Sequence, residues 1–205
     1  MLTVFHAPYS RSMAVIALID EMGIADKVAV QVVDIRRMDG SGGFDAANPH
    51  PEHKAPALLD GDALITERAA IMVYLTTRFP QAGLAPAQDD PRWGEYLTWM
   101  VWYGAVMEPV LILQAAGVSH DWLVAAIRDH TAVAARLRAA LERGPWLSGE
   151  TFSAADILCS SPYHWVKDAT PDDALIRDWV ARCAARPAWQ RVGAADAALM
   201  AQQAA

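Results

Sequence analysis

Cysteine is scarce in this chain. Of 205 residues only Cys159 and Cys183 are cysteines, and none precedes position 159. Neither lies in a CxxC or at a metal-ligand spacing, so both read as small core residues. The N-terminal half therefore offers no enzyme thiol for thiol–disulfide exchange. His120, His130 and His164 share no spacing that would build a metal site, and no metal is expected. A long basic cluster is also absent and the formal net charge is −7, which argues against a nucleic-acid partner. No uninterrupted apolar run reaches the ~18 residues that a spanning helix needs, and the N-terminus lacks the basic and apolar regions of a signal peptide. A cytoplasmic protein with no membrane partner is expected. The acidic balance would not steer an anion from a distance, so any anion site must build its positive potential locally. Arg11, His53, Lys54 and Arg68 are the available candidates.

What is present is apolar material for a core, 54% of the chain, and one stretch, His53 to Leu75, that organises the N-terminal half. Two short apolar runs, Ala57–Leu59 and Ala63–Ile65, flank Asp60-Gly61-Asp62, the composition of a tight hairpin. Thr66 can cap a following helix in which Ala70, Ile71, Tyr74 and Leu75 recur on one face. Pro56 cannot donate to a sheet ladder and belongs at a strand entrance, where a cis bond is expected. Ala55 before it keeps backbone groups with which an extended peptide can pair. The helix start adds unpaired N–H groups and the positive dipole end, and Glu67 in the first turn can accept from an ammonium group. Together these suit a small zwitterionic peptide.

The run Lys54-Ala55-Pro56-Ala57-Leu58, the hairpin and Thr66-Glu67 resemble the N-terminal domain of glutathione transferases. Arg68 stands where that family usually has serine. The order along the chain agrees: strand Leu2–Phe5, turn His6–Tyr9, helix Met13–Met22 stopped by Gly23, and strand Val28–Val33. A strand, helix and strand at this length imply a parallel pair. Phe44–Asn48 suits one weak helical turn before Pro49 and Pro51. The resemblance implies an α/β thioredoxin-like domain over residues 1–80 and, after a linker at Gln81–Asp90, an all-α domain over 90–205. In that second half Arg92–Leu113 reads as a long helix with an aromatic face, and His120–Leu141 as a second. Ser153 with Asp156 forms a capping box, and Phe-Ser-x-Ala-Asp is also the family's pattern at the equivalent helix. The alanine-rich tail after Gly193 is expected to fray.

The chemistry the resemblance implies is ionisation of the glutathione thiol, with glutathione as co-substrate, followed by attack on a small hydrophobic electrophile. A thiol of pKa ~8.5 is mostly protonated at neutral pH, and lowering it by about two units takes roughly 2.7 kcal/mol of thiolate stabilisation. A hydroxyl and a backbone N–H at a helix N-terminus can supply this. Tyr9, Ser10 and Ser12 all lie where strand hands over to helix, and Ser10 or Ser12 equally suits the helix cap. The resemblance favours Ser10 as the catalytic hydroxyl, because serine-type members place theirs directly before this helix. It also implies that Ser10, Arg11, His53, Lys54, Ala55, Pro56, Glu67 and Arg68 bind glutathione. Tyr9, Ser12, Tyr96, Trp99 and Tyr103 are the candidates to line the electrophile pocket. A homodimer is the family expectation. Isomerase, dehalogenase or peroxidase chemistry, or a non-catalytic binding protein on the same fold, are the alternatives.

Overall fold

The computed structural model describes residues 2–203. The chain divides into two compact units, one comprising the residues up to Ala82 with those from Arg186 onward, the other Gly83–Ala185.

In the first unit β1 (Leu2–His6) leads into α1 (Met13–Glu21) and returns as β2 (Val28–Val32), parallel to β1 with Leu2 opposite Val28. Gly23 ends α1 at φ +64°, a conformation that costs glycine least. The hairpin β3 (Ala57–Asp60) and β4 (Ala63–Ile65) turns at Gly61, φ +60°, and completes a mixed sheet of order β2-β1-β3-β4. This is the thioredoxin-like arrangement expected. The two central strands bury Val4, Phe5 and Leu58, and α2 (Arg68–Arg78) covers the sheet with Ile71, Met72 and Leu75. Residues 44–48 form a turn, not a helical segment: the Asp45 carboxylate accepts the Ala47 N–H at 2.8 Å and so competes with helix propagation.

The last helix, α9 (Pro187–Gln203), packs on α1 within this unit. The sequence placed it in the 90–205 domain. Ala188, Val192 and Asp196, four residues apart on one helix face, are all buried. The tail expected to fray after Gly193 continues as helix to Gln203, and Ala204 and Ala205 lie outside the described residues. Arg186 grips both carboxylate oxygens of Glu21 at 2.8 and 2.6 Å, and Arg191 reaches Asp20 at 2.7 Å.

The second unit is helical. The expected helix over 92–113 runs as α3 (Trp93–Trp102), a π-helical turn (Tyr103–Met107) and α4 (Glu108–Ala115). Pro109 has no N–H to offer the carbonyl one turn back, and the ladder widens just before it. Trp93–Ala115 is long and apolar enough by composition to cross a membrane, although it carries Glu95 and Glu108. One face of it, with Tyr96, Met100, Tyr103 and Met107, is buried within the unit. The expected second run is two helices, α5 (Asp121–Ile127) and α6 (His130–Leu141). Arg128 at φ +67° breaks it, and the Asp129 side chain restarts it by accepting from the Ala132 N–H at 2.9 Å. The Ser153–Asp156 capping box opens α7 (Ala154–Trp165), and α8 (Ala174–Ala184) follows. Buried Asp156 accepts from the N–H groups of Leu147 (2.9 Å), Ser153 (3.0 Å) and the Trp179 indole (3.0 Å).

Candidate functional site

Three loops of the first unit carry most of the sequence-derived candidates, and each contains a non-glycine residue with positive φ: Tyr9 and His53 at +51° and Glu67 at +65°. Such backbone costs on the order of 1–3 kcal/mol per residue and persists where surrounding contacts impose it.

The first loop joins β1 to α1. Ser12 occupies the N-cap position of α1, yet its hydroxyl does not cap the helix. It lies 2.7 Å from His6 Nδ1 and 2.7 Å from Ser10 Oγ, and accepts the Ala7 N–H at 3.1 Å. On the far side of the imidazole, Nε2 meets Asp196 Oδ1 at 2.9 Å, while the second oxygen of Asp196 accepts the Tyr9 N–H at 2.7 Å. The Asp196 contact explains the unusual Tyr9 backbone, because its N–H is held from α9. Tyr9 itself is 45% exposed, whereas Ser10 is 8% exposed and Ser12 closed to solvent. Arg11 is exposed. Arg37 donates to the Pro8 carbonyl at 2.9 Å and closes the loop from the other side.

The second loop precedes β3. Asn48 Nδ2 donates to the Lys54 carbonyl at 3.1 Å, and its Oδ1 accepts the His50 N–H at 3.0 Å. His50 Nδ1 accepts the Glu52 N–H at 3.1 Å, so this buried imidazole is used in its neutral form; burial pushes its pKa down, against the pull of Glu52. These bonds present Lys54 and His53 at the surface and Ala55 and Pro56 at the sheet entrance. The Ala55–Pro56 peptide is cis. Lys54 Nζ pairs with Glu52, and the His53 ring packs edge-on against Phe44 at 4.4 Å. Arg36, Phe44, Glu52 and His53 line an open groove of about 390 Å³.

In the third loop, α2 starts at Arg68, one position later than a Thr66 cap would allow, and Glu67 is the N-cap. Its positive φ turns the chain sharply into the helix, and its side chain makes no cap bond. The Glu67 carbonyl takes the Ile71 N–H at 2.9 Å, so the first-turn N–H groups lack intrahelical acceptors. Glu67 is exposed and Arg68 buried.

Tyr96, Trp99 and Tyr103 belong to the second unit, where all three are buried; the Arg136 guanidinium stacks over Trp99 at 5.1 Å. No group of three or more His, Cys, Asp or Glu residues able to hold a metal occurs among the described residues.

The sequence reading passed over His6, Asn48, His50 and Asp196. Asp196 carried a signal: it is the one charged residue between Ala194 and the end of an alanine-rich segment. A lone carboxylate in an alanine-rich helical segment is an expensive thing to bury without a partner.

Residues 1–77 match the model of the family described as glutathione S-transferase, N-terminal domain. Among curated proteins, the chain is 30% identical over 162 residues to the disulfide-bond oxidoreductase YfcG of Escherichia coli strain K12, spanning 67% of this chain and 70% of that protein. Among solved structures, a glutathione S-transferase from Actinobacillus pleuropneumoniae superposes with a TM-score of 0.77 at 21% identity, over 96% of this chain and 93% of that one. A sphingomonad glutathione S-transferase complexed with glutathione gives 0.72 at 26% identity, over 95% and 98%.

Proposed function

Because the chain belongs to the glutathione S-transferase family, we propose that it binds glutathione on its first unit and adds the thiolate to a small hydrophobic electrophile. The observation that carries this reading is the buried Ser10 hydroxyl at the start of α1, fixed at 2.7 Å to a second hydroxyl that is itself anchored. A serine hydroxyl stays neutral at working pH, so it serves as a hydrogen-bond donor to sulfur. Together with helix N–H groups, one such bond supplies a large part of the roughly 2.7 kcal/mol that a two-unit drop in thiol pKa requires.

In this reading Ala55, ahead of Pro56, pairs its backbone with the cysteinyl unit. Glu67 and the N–H groups at the start of α2 take the γ-glutamyl head, whose ammonium suits Glu67 and whose carboxylate suits the helix N-terminus. Arg11, His53, Lys54 and Arg68 supply positive charge, with His53 and Lys54 toward the glycyl carboxylate. Tyr9 is the exposed aromatic residue offered to the electrophile, and Ser12 acts from behind Ser10. Tyr96, Trp99 and Tyr103 are buried within the second unit. The chemical step is displacement or addition: the C–S bond forms as the leaving group departs with its electron pair. A cytoplasmic homodimer with a detoxifying role completes the proposal.

A second reading follows from the 30% relative, whose name is that of a disulfide-bond oxidoreductase. Cys159 and Cys183 are both buried in the second unit and suit no exchange reaction. Glutathione would therefore have to provide both thiolates: one attacks the disulfide and releases a thiolate, and a second resolves the mixed disulfide to glutathione disulfide.

Retention on a glutathione resin, a thermal shift with glutathione and turnover of a chloronitrobenzene would support the transferase. Turnover of a small disulfide with no activity on any electrophile of a panel would select the oxidoreductase. Absence of both binding and thermal shift would leave a non-catalytic protein on this fold.

A further inference from the structure

An ionising thiol must hand its proton to something, and the first unit contains a buried chain of acceptors that starts at Ser10. We propose that His6, backed by Asp196, receives the proton of the bound glutathione thiol through Ser12 and Ser10. This rests on the reading that Ser10 faces the thiol.

The chain is continuous: Ser10 Oγ to Ser12 Oγ is 2.7 Å, Ser12 Oγ to His6 Nδ1 is 2.7 Å, and His6 Nε2 to Asp196 Oδ1 is 2.9 Å. All four side chains are buried. A carboxylate only accepts, and Asp196 already takes the Tyr9 N–H on its other oxygen. His6 therefore carries its proton on Nε2, and in the neutral ring Nδ1 accepts the Ser12 hydroxyl. Ser12 Oγ in turn accepts the Ala7 N–H and the Ser10 hydroxyl. The Ala7 carbonyl, 3.2 Å from Ser12 Oγ, competes for the same proton; with that proton turned to Nδ1, every proton in the chain points inward and Ser10 has none directed at a ligand sulfur.

Transfer reverses this polarity. As the S–H bond breaks, its proton passes to Ser10 Oγ, the proton of Ser10 passes to Ser12 Oγ, and that of Ser12 forms the Nδ1–H bond of His6. The imidazolium then donates to Ser12, Ser12 to Ser10, and Ser10 to the thiolate. No proton leaves the complex. The Asp196 carboxylate on Nε2 stabilises the imidazolium, and the Ser10 hydroxyl stabilises the thiolate. Asp196 from α9 is the charged group on His6 itself; Arg37 lies on the Pro8 carbonyl of the same loop, while β2 and β3 bring Val32 and Ala57 beside β1.

The test uses the full-length protein and three readouts at neutral pH: ultraviolet thiolate absorbance, proton release into an indicator solution, and 15N shifts of the His6 imidazole. On binding glutathione, the thiolate should appear with far less than one proton released per thiolate, and His6 should pass from the neutral Nε2–H form to imidazolium. S-methylglutathione, which has no thiol proton, should leave His6 neutral. Asp196→Asn should raise the apparent thiol pKa by about one unit, a tenfold loss of thiolate, and return the release toward one proton per thiolate. A full proton released by the wild type with His6 remaining neutral overturns the relay, as does an equal response to S-methylglutathione; neither depends on a variant folding. Ser10→Ala separates the two layers. If it leaves the thiolate unchanged, the Ser10 reading fails and the relay with it. If it abolishes the thiolate while wild-type His6 stays neutral, only the relay fails.

Discussion

Ser10, Glu67 and Arg68 are the residues at which the proposed activity is most exposed to test. Loss of the Ser10 hydroxyl removes a donor to a charged sulfur, worth about 1.5–3 kcal/mol, or roughly one to two decades in rate. Turnover of Ser10→Ala should fall by that much at neutral pH and recover toward wild type as pH rises, because solvent then ionises the thiol unaided. If Tyr9→Phe shows this profile and Ser10→Ala does not, the hydroxyl that matters is the phenol. At the start of α2, Glu67→Gln should weaken glutathione binding about tenfold in calorimetry, the value of one charge-assisted hydrogen bond of about 1.5 kcal/mol. Arg68 is buried where the family usually has serine. Its backbone N–H is indifferent to that exchange, so Arg68→Ser should leave binding unchanged or weaker; tighter binding would mean the arginine obstructs the site.

Among the elements, α7 is held at its start by a single buried side chain. Asp156 satisfies donors from Leu147, Ser153 and Trp179 in a site closed to solvent. Burial alone pushes its pKa up, against those donors. Asp156→Ala would leave several buried N–H groups unpaired and should cost about 3 kcal/mol or more in urea denaturation. His164 on the same helix is desolvated, which lowers its pKa from 6.5 to about 4. A base whose folded pKa is depressed binds fewer protons folded than unfolded. Stability therefore falls as pH drops below about 6.5, and the loss is complete below about 4, on the order of 3 kcal/mol. The gap in melting temperature between the wild type and His164→Gln should shift in favour of the variant across that window. Elements such as α7 were legible because their signals are local: Ser153 with Asp156, Gly61 between two apolar runs, Gly23 after α1. The break at Arg128 was not, because α5 and α6 continue one apolar stripe and Asp129 reads equally well as a helix residue or a cap.

At the scale of the whole molecule, the chain ends by returning to the unit in which it began, and this was the feature least legible in the sequence. Composition showed only an alanine-rich tail after Gly193; nothing local connects Asp196 with a histidine 190 positions earlier. The three loops of the candidate site were readable because each sits beside its own punctuation, Pro8, Pro56 and the Thr66-Glu67 turn. The network behind Ser10 was not, because its carboxylate, Asp196, comes from α9. It follows that the N-terminal family segment, residues 1–77, is not a self-sufficient unit here. A chain ending at Ala185 would uncover the α1 face against which Ala188 and Val192 pack. It would also strip Glu21 and Asp20 of their arginines and leave the His6 Nε2–H and the Tyr9 N–H without their acceptor. The buried His6 nitrogen left unpaired costs about 1–3 kcal/mol and the part-buried Tyr9 N–H less, before the lost apolar contact is counted. Such a chain should lose amide-exchange protection first in α1 and in the Ala7–Ser12 loop, while α7 and α8 keep theirs, and it should lose glutathione binding together with the loop. If α1 stays as protected as in the full chain, the first unit is complete without α9, and the Asp196 contact is an accessory to the site and not part of its frame.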